Sequence, residues 1–209
     1  MNVVDDLISV NPYSRLGKMR RGTNALVVHW TATPGQGCKG VHDFYEGRKL
    51  GKDGYGSAHR GIDFDGTIYR WIPDEEMAYG VGSSQPDPAS GKIYTDLAEK
   101  MFGTYAPRTL PAATSPNWVT LSCEWMTLDA KGTFTTEQYA AAVELYAFWA
   151  YTYALDPLTE IVTHKDIVGW KDCHKFFVDN PSRFDAFKHD VLDALGSVGK
   201  PDSIEADSS

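Results

Sequence analysis

"ALVVHW", residues 25–30, is a short β-branched apolar run that ends next to a histidine and gives way to the polar, turn-rich "TATPGQG". A buried strand that ends at a site reads this way. A second run, "EIVTH" at 160–164, also ends in histidine, and Cys173 follows His164 by nine residues across a glycine-containing loop. If the two strands are neighbours in one sheet, their ends bring His29, His164 and Cys173 together. Two neutral imidazoles and a thiolate suit Zn²⁺, and three protein ligands leave a fourth position open, as in a catalytic rather than a structural site. A lone histidine on a strand is more often a satisfied core or surface residue, so spacing by itself leaves both readings open.

The surrounding sequence predicts a single α/β domain over residues 1–196, with a central mixed sheet flanked by helices. "CKGVHDFYEGRK" places Val41, Phe44 and Tyr45 at helical spacing, and the glycine-rich "LGKDGYG" stops the helix. "HRGIDFDGTIYRWI" reads as two strands around Asp65-Gly66, a tight hairpin with both central residues at positive φ. From Gly80 to Asn117 the chain is rich in Pro, Ser and Gly, with one helical island, "YTDLAEKMF". This predicts a long surface insertion, which either shapes a cleft or is a tolerated excursion. "WVTLSCEWMTL" returns to strand character. In "TTEQYAAAVELYAFWAYTYA", Thr135 and Gln138 fit a capping box, and Tyr139, Val143, Tyr146 and Ala150 mark one helical face. "PSRFDAFKHDVLDAL" is an amphipathic closing helix, and residues 197–209 read as a flexible tail or linker.

Composition narrows the function. A length of 209 residues suits one well-buried core. No apolar run approaches the roughly 18 residues of a membrane span. Asp5 and Asp6 precede the first apolar residues and "KMRR" follows them, the reverse of a secretory signal. With a formal net charge of -8, nucleic acid is not an expected partner, and "KMRR" reads as a solvated basic turn. Three widely spaced cysteines argue against a disulfide framework. Cys38 and Cys123 read as small packing residues, and Cys123 should face away from Glu124. His42 and His189 read as surface residues.

"LVVHWTAT", "SAHRGIDFDGTIYRWIPDEEMAYGVG", "NWVTLSCEWM", "FTTEQ" and "IVTHKDIVGWKDC" resemble, in that order, the successive motifs of the zinc-dependent N-acetylmuramoyl-L-alanine amidases of phage endolysins and bacterial autolysins. That family shares its fold with peptidoglycan recognition proteins, and the resemblance runs from about Ala25 to Phe187. It implies one zinc held by His29, His164 and Cys173, and hydrolysis of the amide joining N-acetylmuramic acid to L-alanine in peptidoglycan. It implies Glu124 as general base and Lys171, of the Lys-x-Cys motif, as the group that stabilises the oxyanion. Asn117 orients substrate or caps a turn, and His59 is a substrate-side or structural histidine. Trp30 and Tyr79 are either exposed aromatics that would line a glycopeptide cleft or buried packing residues.

The chain also departs from the pattern. Ala58 stands where one branch carries a catalytic tyrosine, "AYGVG" lacks the usual histidine, and His174 replaces a common proline. The expected partner is bacterial peptidoglycan, met by a monomer that acts without a membrane, with or without a further C-terminal cell-wall-binding domain outside this chain. The expected location is the host cytoplasm and then the wall for a phage endolysin, or the extracellular wall for an autolysin exported by another route. The rival readings are a non-catalytic wall-binding module of the same fold, a zinc peptidase cutting another wall bond, and a regulatory binding protein.

Overall fold

A computed structural model describes residues 1–103 and 115–196. A six-stranded mixed sheet runs in the order β1 (Val3–Asp5), β5 (Ile68–Arg70), β4 (Arg60–Ile62), β7 (Thr120–Trp125), β3 (Ala25–Trp30), β8 (Ile161–Thr163). β4, β7, β3 and β8 are mutually parallel, whereas β5 returns antiparallel to β4. β2 (Arg15–Met19) and β6 (Glu76–Ala78) form a separate antiparallel ribbon. The first five residues of β3 are all buried, as a parallel strand covered on both faces requires.

Alternation along β3 and β7 sorts the two faces. Leu26, Val28, Cys123 and Trp125 enter the main core with Tyr146 and Trp149 of α3 (Thr136–Tyr153) and Phe187 of α7 (Pro181–Leu195). The opposite face is covered in two pieces. Cys38, Val41 and Tyr45 of α1 (Cys38–Gly47) pack with Trp71 and Ile72, close enough to Gly61 that a Cβ there would overlap the Trp71 ring. Ala25, Val27 and Val162 pack with Ala98 of α2 (Asp96–Phe102) and with Ile167 and Val168 of α5 (His164–Val168). Two short helices, α4 (Pro157–Glu160) and α6 (Lys175–Asp179), complete the α-helices of the described residues.

Several expectations need correction. Residues 65–66 form a hairpin turn, but only Gly66 has positive φ, at 82°. The connection is longer than a two-residue loop: Asp63 accepts from Gly66 N–H and donates to Thr67 O, both at 2.9 Å, while Asp65 Oδ1 takes the Thr67 N–H. The inward face of α3 is broader than the predicted stripe. Gln138, Ala142, Leu145 and Trp149 are buried, whereas Tyr139 and Val143 pack at the margin. "KMRR" is not a solvated turn: Lys18 and Met19 lie in β2, Arg20 Nε donates to Asp74 O at 2.6 Å, and its guanidinium lies 5.2 Å from the Tyr153 ring. β1 is exposed throughout and so carries no burial pattern that would announce it. The tail at 197–209 and residues 104–114 of the predicted insertion lie outside the described residues.

The predicted capping box is present and does more than cap. Gln138 Oε1 accepts from Thr135 N–H, and Nε2 donates to Ile62 O at 3.0 Å and Met126 O at 2.7 Å. One fully buried amide therefore ties α3 to the ends of β4 and β7. Gln138→Ala should lower stability by about 2 kcal/mol, because Met126 O loses its side-chain donor, while Ile62 O retains the Met126 N–H. Urea unfolding checks this, and Thr135→Ala should cost only about 1 kcal/mol.

Candidate metal centre and active site

His29 of β3 stands in register with Glu124 of β7, so both side chains leave the sheet on one face. Cys123, as expected, turns the other way into the main core. β8, on the far side of β3, ends at Thr163, and His164 is the first residue of α5 rather than the last of a strand. Thr163 and Asp166 make that start rigid. Thr163 Oγ1 accepts from Asp166 N–H at 3.2 Å, and Asp166 Oδ2 accepts both Thr163 N–H and Oγ1–H at 2.8 Å. Lys165 N–H donates to Cys173 O at 2.9 Å, which pins the cysteine beside the same helix.

α5 is braced from outside as well. Thr95 N–H donates to Ile167 O at 2.9 Å, Thr95 Oγ1 donates to Asp166 O, and Tyr94, Met101 and Phe102 pack around Ile167 and Val168. The described part of segment 80–117 is thus a buttress for the helix that carries His164. A closer approach occurs at Gly80, where any Cβ would overlap Ser122 Oγ, two residues from Glu124 on the same face. Only glycine lets the chain cross β7 there.

One ligand atom from each of His29, His164 and Cys173 lies within 4.8 Å of the others, and all three residues are buried. Cys173 Sγ is 3.5 Å from His29 Nδ1, and the two imidazoles meet edge to face at 4.8 Å. With Zn–S and Zn–N bonds of their usual lengths, a tetrahedral S···N edge is about 3.5 Å, so the group fits that ion. Burial, with the nearby Lys171 charge, lowers His29 to about 3 and puts His164 well below its ordinary value. Both are therefore neutral, the state that ligates a metal. Burial pushes the Cys173 thiol up, against the opposing Trp30 backbone N–H and the Lys171 charge. A divalent cation would reverse that shift.

Burial raises Glu124 to about 7, with the Tyr45 hydroxyl and Lys171 pulling back. Tyr45 Oη donates to Glu124 Oε1 at 3.0 Å, while Oε2 has no partner among the described residues. The Lys171 charge acts on His29, His164, Glu124 and Cys173 alike, which puts it within electrostatic reach of the whole group.

The other predicted residues sit apart from this group. His59 is fully buried, Nε2 donating to Glu76 O at 2.9 Å and Nδ1 accepting Ser122 N–H at 3.1 Å. No ring edge is left for substrate, so it is a strut between β6 and β7. Asn117 Oδ1 accepts from Val81 and Gly82 N–H at 2.8 and 2.9 Å, which makes it a turn cap. The half-buried Tyr79 donates to Pro12 O and neighbours the exposed Tyr55 ring. Trp30 turns its ring away from His29, towards Gly132. His174 packs against Trp125 and Phe177, inside the main core. Ala58 is buried beside Tyr45 in the α1 cluster. The phenol at Glu124 therefore comes from α1, which the sequence reading missed. The signal was Cys38, Val41 and Tyr45 at helical spacing, with a polar tip on an inward position.

Residues 19–176 match the family described as N-acetylmuramoyl-L-alanine amidase. The chain belongs to that family. Members are generally zinc-dependent. It is 28% identical over 184 residues to the amidase BlyA of Bacillus subtilis (strain 168), covering 88% of this chain and 45% of that one. A probable N-acetylmuramoyl-L-alanine amidase of Bacillus licheniformis is 29% identical over 196 residues, covering 94% and 49%. The chain spans about half the length of these curated relatives. In fold it is similar to the catalytic domain of XlyA, with a TM-score of 0.63 at 21% identity over 90% of this chain and 99% of that one. The PlyG catalytic domain also superposes at 0.63, with 17% identity over 96% and 99%. The expected α/β architecture, a mixed sheet between helices, is that of these domains. Among the described residues no helix is long and apolar enough to cross a membrane.

The support of α5 can be tested apart from any chemistry. Asp166→Ala should cost about 1 kcal/mol as a lost cap. Amide exchange should quicken over residues 164–168, while protection of the central strands stays unchanged.

Proposed function

We propose that this chain is a zinc-dependent peptidoglycan hydrolase that cleaves the amide between the lactyl group of N-acetylmuramic acid and L-alanine. One zinc would be held by His29, His164 and Cys173. The observation that carries the reading is the convergence of those three buried ligand atoms, with Glu124 standing in register with His29 on the same face. Bound zinc supplies Lewis acidity towards the lactyl carbonyl and the attacking water.

The protein's own groups do the rest. Glu124 is poised at about 7, where a carboxylate both accepts and releases a proton readily. Oε2 takes the proton of the attacking water and returns it to the L-alanine nitrogen as the C–N bond breaks. Lys171 offsets the negative charge that develops on the lactyl oxygen. His29 and His164 stay neutral and keep their lone pairs for the metal. In the bacterial wall such a domain would act as an endolysin or autolysin. Residues 1–196 would form the catalytic domain.

Digestion of purified peptidoglycan tests this, with metal content measured on each protein and fragments identified by mass. Wild type should carry about one zinc and free stem peptides that begin with L-alanine. Cys173→Ser should lose both metal and activity. Glu124→Gln should keep the metal while kcat falls roughly 10²–10⁴-fold. Retention of intact glycopeptide without cleavage would make the chain a wall-binding module, and cuts elsewhere in the stem peptide would make it a peptidase.

A further inference from the structure

Glu124 is a long side chain at a half-buried position, and its two oxygens have different surroundings. Oε1 accepts the Tyr45 hydroxyl at 3.0 Å, and Oε2 has no partner among the described residues. With Oε1 committed to Tyr45, Oε2 is the oxygen left open on the face of the sheet that Glu124 shares with His29. In the ionised form in which Glu124 acts as base, the carboxylate only accepts and the phenol has a single O–H, so in that form Tyr45 is the donor.

Tyr45 is itself well held. It is 8% exposed, lies on the inward face of α1 with Cys38 and Val41, and meets the Trp71 ring edge to face at 5.6 Å. Burial, reinforced by the Glu124 charge, keeps its phenol well above the usual value, so it remains a donor. The hydroxyl is thus fixed before substrate arrives, and no reorganisation is needed during reaction.

We propose that Tyr45 is a positioning residue: its hydroxyl anchors Oε1 of Glu124 and so aims Oε2, the remaining oxygen, at the reacting groups. This rests on the reading of Glu124 as the base. Tyr45 keeps its own proton throughout. The transferred proton passes from water to Oε2 and on to the departing nitrogen, so the phenol enters neither bond making nor bond breaking. Its contribution is geometric, and it acts only through Glu124.

Tyr45→Phe removes one oxygen and leaves the ring packing in place. The test uses a soluble muropeptide containing the muramoyl-L-alanine amide, with kcat and KM for wild type, Tyr45→Phe, Glu124→Gln and the double variant. Zinc content and thermal melting are followed alongside. Tyr45→Phe should lower kcat roughly tenfold or more, the loss expected of one charge-assisted hydrogen bond, with KM within about twofold. Zinc content and melting should stay near wild type, and the double variant should fall no further than Glu124→Gln. The proposal is overturned by wild-type kcat in Tyr45→Phe, by an undiminished further loss in the Glu124→Gln background, or by loss of zinc. Full activity of Glu124→Gln would instead overturn the base reading, whatever Tyr45→Phe does.

Discussion

The parallel pairing of β3 with β7 on one side and β8 on the other is the constraint on which the site depends. Register sets His29 opposite Glu124, and Val28 opposite Thr163, the residue before His164. A one-residue slip of β7 would turn Glu124 into the core and Cys123 into the cleft. Burial of Leu26, Val28, Cys123 and Trp125 against α3 and α7 forbids it. The same hydrophobic burial that stabilises the sheet therefore chooses which side chains meet in the cleft.

Placing titratable groups at the end of a buried sheet is costly, and the cost shapes their chemistry. His29 and His164 are held neutral, the Cys173 thiol is held protonated in the absence of a cation, and Glu124 is raised towards neutrality. Each shift has burial as its largest cause. A divalent cation at the convergence of the three ligand atoms would relieve the thiol and use the lone pairs of both imidazoles. Rigidity comes from backbone and caps more than from the ligands themselves. Thr163 and Asp166 lock the start of α5, Lys165 ties Cys173 to it, and Thr95 holds α5 from outside.

Much of this was legible because period and capping are local signals. β3, β7, α1, α3 and α7 lie where apolar spacing and the Thr135–Gln138 box place them. The spacing of two strands that lead to histidines left the convergence of His29, His164 and Cys173 open; the family resemblance implied it, and the three ligand atoms do meet. What was not legible depends on tertiary contacts. β1 and β2 pair with strands far along the chain and bury little, so their residues show no period. For His59 and Asn117 a substrate-side and a structural reading both stood open, and the contacts decide for structure: Glu76 and Ser122 take both ring nitrogens of His59, and Val81 and Gly82 N–H take Asn117 Oδ1. No composition or spacing reveals where a partner 17 or 63 residues distant will lie.

Ala58 shows why a residue-by-residue comparison of sequences can mislead about chemistry. The position lacks a hydroxyl, but Ala58 and Tyr45 share one buried cluster. α1 brings a phenol to Glu124. The Tyr45 ring packs against Trp71, and the glycine at 61 lets that tryptophan come close to β4. Function is carried by atoms in positions rather than by alignment columns, and a packed core offers more than one backbone position from which to deliver the same atom.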